Sequence, residues 1–309
     1  MAEPYSVPEA PPVWVHARGR LVFDVPRLMA IVNLTPDSFF DGGNLLPPGR
    51  DDPNAAMAVR RCLGLVQEGA DILDLGGEST RPGAEPVPPD IELRRVLPVL
   101  RRLRDDPALA QVPISIDTRR AAVARAALSA GAAIVNDVSG LADPEMAAVV
   151  AETGAGLVIG HLRGEPATMQ HGITFANVLD DVGSELAHAV ERALRAGVAG
   201  ESIVVDPGIG FGKTAEQSAA LVGAARDLAH ATGCPVLIGA SRKAFLGAIT
   251  GRGVDERMIA SVAAAVMAIE RGASVVRVHD VGPTAEALRV AAAVRRAYAT
   301  SAGERRLDR

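Results

Sequence analysis

The sequence has few cysteines, no long hydrophobic run and no excess of positive charge. Cys62 and Cys234 are the only cysteines among 309 residues, and they form neither a CxxC motif nor a zinc-ligand spacing. No apolar stretch approaches the roughly 18 residues that span a bilayer, and a net charge of −5 provides no basic surface for nucleic acid. Residues 1–12 lack the basic and apolar regions of a signal peptide. We therefore expect a cytoplasmic globular enzyme that binds neither membranes nor nucleic acid.

Lysine is almost absent, although lysine and arginine together number 32. The two lysines, Lys213 and Lys243, both lie in turns that follow apolar runs. An ammonium is a compact point charge whose pKa shifts readily, so it is not interchangeable with a guanidinium. Each lysine is therefore a candidate for chemistry that needs an ammonium. Lys243 is the stronger ligand candidate, whereas Lys213 could serve its loop or an ion pair.

Eight short apolar runs alternate with amphipathic helical stretches. The runs are apolar on both faces, as is typical of buried parallel strands, and they cover residues 28–32, 71–75, 113–116, 133–135, 156–159, 202–205, 235–238 and 274–278. The helical stretches cover residues 54–68, 91–103, 119–130, 144–153, 178–196, 216–232, 255–271 and 284–298. Eight such units predict an α/β fold of the (β/α)8 TIM-barrel type. A doubly wound sheet is the alternative, since the order of elements does not establish closure.

The segment at residues 14–24 interrupts this alternation. The triplets WVH at 14–16 and LVF at 21–23 flank residues 17–20, a pattern that predicts a β-hairpin. We expect this hairpin to cap the bottom of the barrel, at the N-terminal ends of its strands. No interdomain linker is visible, so residues 13–299 are predicted to form one domain between flexible tails at 1–12 and 300–309.

Polar residues recur at the carboxyl ends of the predicted strands, where the active site of a TIM barrel lies. A single one could be a helix N-cap, as we expect for Asp137 or Ser241. Helix capping does not explain the whole set, however, because it does not require carboxylate, amide and ammonium groups to converge on the barrel axis. The residues in question are Asn33, Thr80, Arg81, Asp117, Asn136, His161, Asp206, Lys213, Lys243, Arg277 and His279.

These residue types fall into groups with different chemistry. A first group could bind a flat heterocycle, because carboxylates accept from paired N–H groups and an ammonium donates to a carbonyl or ring nitrogen. It comprises Asp117, Asn136, Asp206 and Lys243. A second, cationic group suits a phosphate or diphosphate, and it comprises Arg81, Arg277 and His279. Asn33 offers a neutral oxygen to a Mg²⁺ ion that keeps most of its waters and bridges diphosphate oxygens.

Six motifs, in order along the chain, resemble the dihydropteroate synthase family. They are NLTPDSF at 33–39, GGESTRPGA at 76–84, NDVSG at 136–140, DPGIGFGKT at 206–214, SRK at 241–243 and RVHD at 277–280. The resemblance covers residues 28–281. It implies a pterin-binding TIM barrel, usually a homodimer, in folate biosynthesis. Members join 6-hydroxymethyl-7,8-dihydropterin diphosphate to p-aminobenzoate, which gives 7,8-dihydropteroate and pyrophosphate.

The resemblance also implies a role for each matching residue. Asn33 would bind Mg²⁺, and Phe211 would border the p-aminobenzoate ring. The residues implied for the pterin ring are Asp117, Asn136, Asp206 and Lys243, and those implied for the diphosphate are Thr80, Arg277 and His279, with Arg81 on a loop nearby. The catalytic residues would be Asp117, Lys243, Arg277 and His279.

Two other functions stay open. A barrel that passes a methyl group from methyl-folate to a corrinoid would share the pterin residues but would need no diphosphate group. A non-catalytic pterin-binding paralogue is expected to lack a loop or anion-binding residue. The chain departs from the family at Ala244, where many members have a serine whose hydroxyl can bind the p-aminobenzoate carboxylate. We expect this departure to weaken binding by about 1–2 kcal/mol.

Overall fold

A computed structural model describes residues 11–35, 53–79, 85–164, 169 and 174–307, with side chains as far as residue 301. The strands are β1 (Val13–His16), β2 (Gly19–Val22), β3 (Arg27–Asn33), β4 (Ile72–Gly76), β5 (Ile114–Asp117), β6 (Ile134–Asp137), β7 (Gly156–Gly160), β8 (Ile203–Asp206), β9 (Leu237–Ile238) and β10 (Val275–Val278). The helices are α1 (Ala55–Glu68), α2 (Pro89–Asp105), α3 (Ala121–Ala130), α4 (Met146–Thr153), α5 (Val178–Arg195), α6 (Ala215–Gly223), α7 (Ala225–Thr232), α8 (Ala244–Thr250), α9 (Met258–Glu270) and α10 (Val281–Leu307). None of the described helices is both long and apolar enough to span a bilayer.

Strands β3 to β10 form a parallel barrel. From β3 to β8 each strand pairs with its successor, and β9 pairs with β10, which pairs back onto β3. The ring closes between β8 and β9 through a parallel bridge between Val205 and Val236, and the Val205 N–H donates to the Pro235 carbonyl at 3.0 Å. The predicted TIM barrel is therefore confirmed. A doubly wound sheet is excluded because the pairing returns to its first strand.

The helices differ from the sequence pattern in three main ways. The single helix predicted at 216–232 is wrong: α6 and α7 meet at Ala224, and the Arg226 N–H leaves the helical pattern to donate to the Arg271 carbonyl at 3.0 Å. The short helix α8 was not predicted, because its seven residues are too few for a clear periodicity. The last helix continues to Leu307, past residue 299, where the sequence pattern placed the end of the domain.

The β1–β2 hairpin closes the bottom of the barrel, as predicted. Its turn has two residues instead of four, because His16 pairs with Gly19 and the second strand begins there. Trp14 is fully buried beneath the barrel, and its indole N–H donates to the Ser202 carbonyl at 2.9 Å. Gly156 leaves the indole room, since a Cβ there would lie 3.1 Å from the indole nitrogen. An apolar plug surrounds Trp14 and consists of Met29, Ile72, Ala133, Ile134, Val158, Val204, Leu237 and Val275.

Barrel-facing side chains become polar towards the carboxyl ends of the strands. Alternate residues of a strand share one face, so on β4 the apolar Ile72 is followed by Asp74 on the same face. On β10, Val275 is followed in the same way by Arg277. The apolar plug therefore gives way to charged groups at the end where the predicted site residues lie.

Candidate active site

The carboxyl ends of the barrel strands surround a cavity of about 730 Å³. This volume is in the range of pockets that hold small organic ligands. The cavity brings together six of the residues singled out from the sequence, which are Asn33, Asp117, Phe211, Lys243, Arg277 and His279. These residues belong to three strands and to three loops that follow strands, so only closure of the barrel makes them neighbours.

Two further predicted residues lie beside the cavity lining. Asn136 is buried on β6, and its amide donates to Asp74 at 3.0 Å. Asp206 ends β8 and accepts from the Gly208 N–H at 2.8 Å. A Cβ on Gly239, which lines the cavity, would lie 3.6 Å from an oxygen of Asp206. Thr80 and Arg81 lie outside the described residues.

Asp74 organises the inner wall of the site, although it is not among the residues predicted from the sequence. It is fully buried, and one of its oxygens accepts from both Asn136 and the Arg277 Nε, the latter at 2.6 Å. Arg277 also donates to Asp117 at 2.7 Å. Within the described residues, one oxygen each of Asp74 and Asp117 is buried without a hydrogen-bond partner. The available signal was a carboxylate in the middle of an otherwise apolar strand, which is costly to bury unless it is paired.

These hydrogen bonds change the role predicted for Arg277. From its residue type and position, this arginine is predicted to belong to the cations of the diphosphate, apart from the heterocycle group. In the structure its guanidinium is salt-bridged to two carboxylates, one of which belongs to the heterocycle group. Burial raises the pKa of Asp117 to about 7; Arg277 opposes this shift and Asp74 adds to it. Arg277 therefore links the two predicted groups.

Lys243 faces the ring of Phe211, with its ammonium 4.0 Å from the ring centre. Burial and the neighbouring Arg277 lower the pKa of Lys243 to about 8, against the pull of Asp206 and Asp117. The turn before Lys243 is held by Arg242, a non-glycine residue at φ 57°, whose side chain pairs with Asp280. Such a left-handed conformation persists only where contacts enforce it, so the direction of the Lys243 backbone is fixed by its neighbours.

His279 is positioned by Ser241, on the neighbouring loop that follows β9. The hydroxyl of Ser241 lies 3.0 Å from the His279 Nδ1 and accepts from its backbone N–H at 3.2 Å. The expectation that Ser241 caps a helix is wrong, because α8 begins three residues later with Lys243 at its N-cap position. Burial, followed by the charge of Arg277, lowers the pKa of His279 to about 3. The imidazole is therefore neutral near pH 7.

Asp137, the other expected cap, fixes a turn instead of a helix. Its carboxylate accepts from the backbone N–H groups of Ser139 and Leu141 and from the Ser139 hydroxyl. The helix that follows starts only at Met146. Asp137 is fully buried and shapes the loop after β6.

Glu78 ties the second motif to the barrel. Its carboxylate accepts from Arg120 at 2.8 Å and from the Val87 N–H at 3.1 Å. Arg120 also donates to Glu92, which is fully buried, at 2.6 Å. The chain is thus fastened at residues 78 and 87, on either side of the positions of Thr80 and Arg81.

Comparison with known proteins decides the family. A family model described as pterin binding enzyme matches residues 29–279. A dihydropteroate synthase of Neisseria meningitidis is 44% identical over 285 residues, which are 90% of this chain and 96% of that protein. The chain belongs to the dihydropteroate synthase family. A solved member of this family from Burkholderia cenocepacia, complexed with 7,8-dihydropteroate, superposes with a TM-score of 0.82 at 43% identity, covering 94% of this chain and 99% of that one.

Some family members are longer. A probable bifunctional folylpolyglutamate synthase/dihydropteroate synthase of Haloferax volcanii is 43% identical over 272 residues. The match covers 88% of this chain but 31% of that protein, so the chain spans about a third of this longer relative. This chain is therefore similar to one part of the bifunctional protein.

Proposed function

We propose that this chain condenses 6-hydroxymethyl-7,8-dihydropterin diphosphate with p-aminobenzoate, giving 7,8-dihydropteroate and pyrophosphate. One observation carries the proposal: a single cavity in a member of this family joins Asp117, Lys243, Arg277 and His279 with the ring of Phe211. This set offers hydrogen-bonding and ionic partners to a heterocycle and to a diphosphate, and an aromatic wall to a second ring. The product in the Burkholderia cenocepacia structure is the one that this reaction forms.

The pterin ring is assigned to the inner wall. Asp117 and Asp206 accept hydrogen bonds from ring N–H groups, Asn136 adds an amide, and Lys243 donates to a ring oxygen or nitrogen. The unpartnered oxygen of Asp117 supports this assignment, because a buried carboxylate oxygen without a donor costs free energy that a ligand N–H offsets. Bound pterin N–H groups would also favour the ionised form of Asp117.

The diphosphate is assigned to Arg277 and His279, and the family resemblance adds Thr80 and Arg81. The neutral imidazole of His279 provides an N–H donor, and a bound anion would favour its protonation. Asn33 would hold Mg²⁺, and its half-buried amide at the cavity suits an ion that takes one or two protein oxygens together with waters and phosphates. When bound, Mg²⁺ supplies positive charge that stabilises the departing diphosphate.

The reaction follows from these positions. The C–O bond between the pterin methylene and the diphosphate breaks, and its electron pair leaves with the diphosphate. The positive charge on the methylene is delocalised into the pterin ring, where Asp117 and Asp206 stabilise it electrostatically. The arylamine nitrogen then bonds to the methylene carbon and loses a proton, and exclusion of water prevents hydrolysis of the cation. A pterin cation or its hydrolysis product should be trapped; persistent failure to trap either would favour direct displacement.

Pyrophosphate release tests the proposal directly. The wild-type chain should bind the pterin diphosphate more tightly with Mg²⁺ and release pyrophosphate when p-aminobenzoate is added. Lys243→Ala and Arg277→Ala should each lower kcat/KM by roughly 100-fold or more, as expected for a lost charge contact to the reacting ligand. Full activity in both variants would contradict the site assignment. Binding without release would indicate the non-catalytic paralogue, and indifference to the diphosphate would indicate the methyltransferase.

We also propose a homodimer that works in the cytoplasm. Large apolar side chains are exposed on α8 and α9, where Ile249, Met258 and Ile259 are 64%, 40% and 78% exposed. A second copy could cover such a surface. The buried free thiols of Cys62 and Cys234 suit a reducing compartment. Sedimentation velocity measures the oligomeric state, and a monomer at micromolar concentration would contradict the dimer.

A further inference from the structure

The second lysine of the chain is buried behind the cavity wall. Lys213 is 6% exposed and lies in the loop after β8. Its ammonium lies 3.0 Å from the His161 Nδ1, 3.0 Å from the Phe211 carbonyl and 3.5 Å from the His161 carbonyl. A lysine ammonium has three N–H donors, and three acceptors face it here. No role in the reaction has so far been given to Lys213.

The partners of Lys213 fix the state of His161. Burial, followed by the charge of Lys213, lowers the pKa of His161 to about 4, so the ring is neutral near pH 7. Its Nε2 lies 2.9 Å from the carboxylate of Glu185 on α5, which can only accept. The proton therefore sits on Nε2, and the lone pair of Nδ1 accepts from Lys213. A chain of hydrogen bonds runs from Glu185 through His161 and Lys213 to the Phe211 carbonyl.

The loop after β8, whose Phe211 carbonyl accepts from Lys213, packs closely against His161. Gly208 has a φ of +67°, and a Cβ there would lie 2.0 Å from the His161 carbonyl oxygen. The Phe211 N–H donates back to the Gly208 carbonyl at 3.1 Å, which closes a turn. The turn ends in the Phe211 carbonyl that Lys213 holds. The ring of the same residue lines the cavity and contacts the Lys243 ammonium.

We propose that Lys213 is a positioning residue for the second substrate: it ties the Phe211 carbonyl to His161 and so holds the Phe211 ring as a wall of the cavity. The inference rests on the proposed function, in which Phe211 borders p-aminobenzoate. A lysine is needed because a planar guanidinium cannot direct its donors to this compact set of acceptors. This accounts for a lysine at 213 in a chain whose other cations, apart from Lys243, are arginines.

The main test is Lys213→Met, which keeps the length of the side chain and removes the donors. We expect the KM for p-aminobenzoate to rise about tenfold, as for the loss of one charged hydrogen bond. The KM for the pterin diphosphate and kcat should stay within about threefold of wild type. Arg163→Met is the matched control, because Arg163 also pairs with Glu185 and stacks on Phe175, but none of its contacts among the described residues reaches the turn at 208–211. This control should leave both KM values unchanged.

A pair of His161 variants tests the hydrogen-bond chain while Lys213 itself is left in place. In His161→Asn the amide oxygen can replace Nδ1 and accept from Lys213, whereas in His161→Gln the amide can replace Nε2 and donate to Glu185. We expect His161→Asn to keep the wild-type KM for p-aminobenzoate and His161→Gln to raise it as Lys213→Met does. Thermal melting shows whether each variant folds. If Lys213→Met does not fold, the two His161 variants alone test whether the hydrogen-bond chain positions Phe211.

Several outcomes would overturn the inference. An unchanged KM for p-aminobenzoate in Lys213→Met, or an equal rise in the KM of both substrates, would show that Lys213 only supports the fold. A raised KM for p-aminobenzoate in His161→Asn with a normal KM in His161→Gln would contradict the proposed direction of the hydrogen bonds from Glu185 to Phe211. A wild-type chain that releases no pyrophosphate would contradict the proposed function and this inference with it. An active wild type with an unaffected Lys213→Met contradicts the inference alone.

Discussion

The two ends of the barrel use the same strands for opposite purposes. At the bottom, Trp14 and its apolar plug fill the interior, and one indole hydrogen bond to Ser202 satisfies the buried polar group. At the top, Asp74, Asp117 and Arg277 place three charges in the interior and pair them with one another. Apolar burial stabilises the fold directly, whereas buried ion pairs add little net stability. The bottom is therefore expected to govern stability, and the top to govern function.

The largest effect is expected from the bottom. Trp14→Ala should lower the free energy of unfolding by about 4 kcal/mol, because it removes a fully buried ring and leaves a cavity. Urea denaturation measures this loss. The KM values of the folded variant should match wild type, since the plug lies at the opposite end from the cavity.

Trp14→Phe separates the ring from its hydrogen bond. This control keeps most of the apolar volume and should cost about 1 kcal/mol for the lost bond to Ser202, plus a smaller packing loss. A fall in kcat/KM at full folding in either variant would contradict the division between the two ends.

The same division explains how much could be predicted from the sequence. Strand positions are visible because buried parallel strands are continuous apolar runs, and the polar residues that follow them mark the site. The break between α6 and α7 could not be predicted, since it depends on a hydrogen bond from Arg226 to the distant Arg271. The short helix α8 is set by contacts around Arg242 and Ser261 that local periodicity does not record.

The site was predicted unevenly for a related reason. Residues after the ends of strands, such as Lys243 and His279, stand out from the apolar runs before them. Asp74 lies inside a run, where its carboxylate is the only signal, and its partners Arg277 and Asn136 come from other strands and are visible only in the structure. The pairing of Arg277 with two carboxylates likewise required the closed barrel. Residue types at strand ends indicate which groups meet, but their partners depend on register and closure.

The next largest effect is expected at the top. Asp74→Asn removes the charge that pairs with Arg277 while keeping the size of the side chain. We expect kcat/KM to fall about 30-fold, on the order of one lost charged hydrogen bond. The negative charge of Asp74 raises the pKa of Asp117. Its removal should therefore lower that pKa and move the acidic limb of the kcat/KM profile to lower pH, since activity requires ionised Asp117.

A pH series of kcat/KM measures this shift. Ser115→Ala is the matched control, because Ser115 is the neighbour of Asp74 on β5 in the strand register and is equally buried, but carries no charge. Ser115→Ala should not shift the pH profile of kcat/KM. A shift of the acidic limb to higher pH in Asp74→Asn would contradict the electrostatic role of Asp74.

The smallest effect is expected at the rim of the top end, where solvent competes with the ligand. Ala244 lines the cavity next to Lys243, at the position where many family members have a serine. Ala244→Ser supplies a hydroxyl that can donate to the p-aminobenzoate carboxylate, and we expect the KM for this substrate to fall about fivefold, or roughly 1 kcal/mol. The KM for the pterin diphosphate should not change. Ala248→Ser, on an exposed position one turn later in α8, controls for the effect of a hydroxyl on the helix. Equal changes in both variants would show that the hydroxyl acts on α8 and not on the substrate, and the rim would then contribute nothing specific to binding.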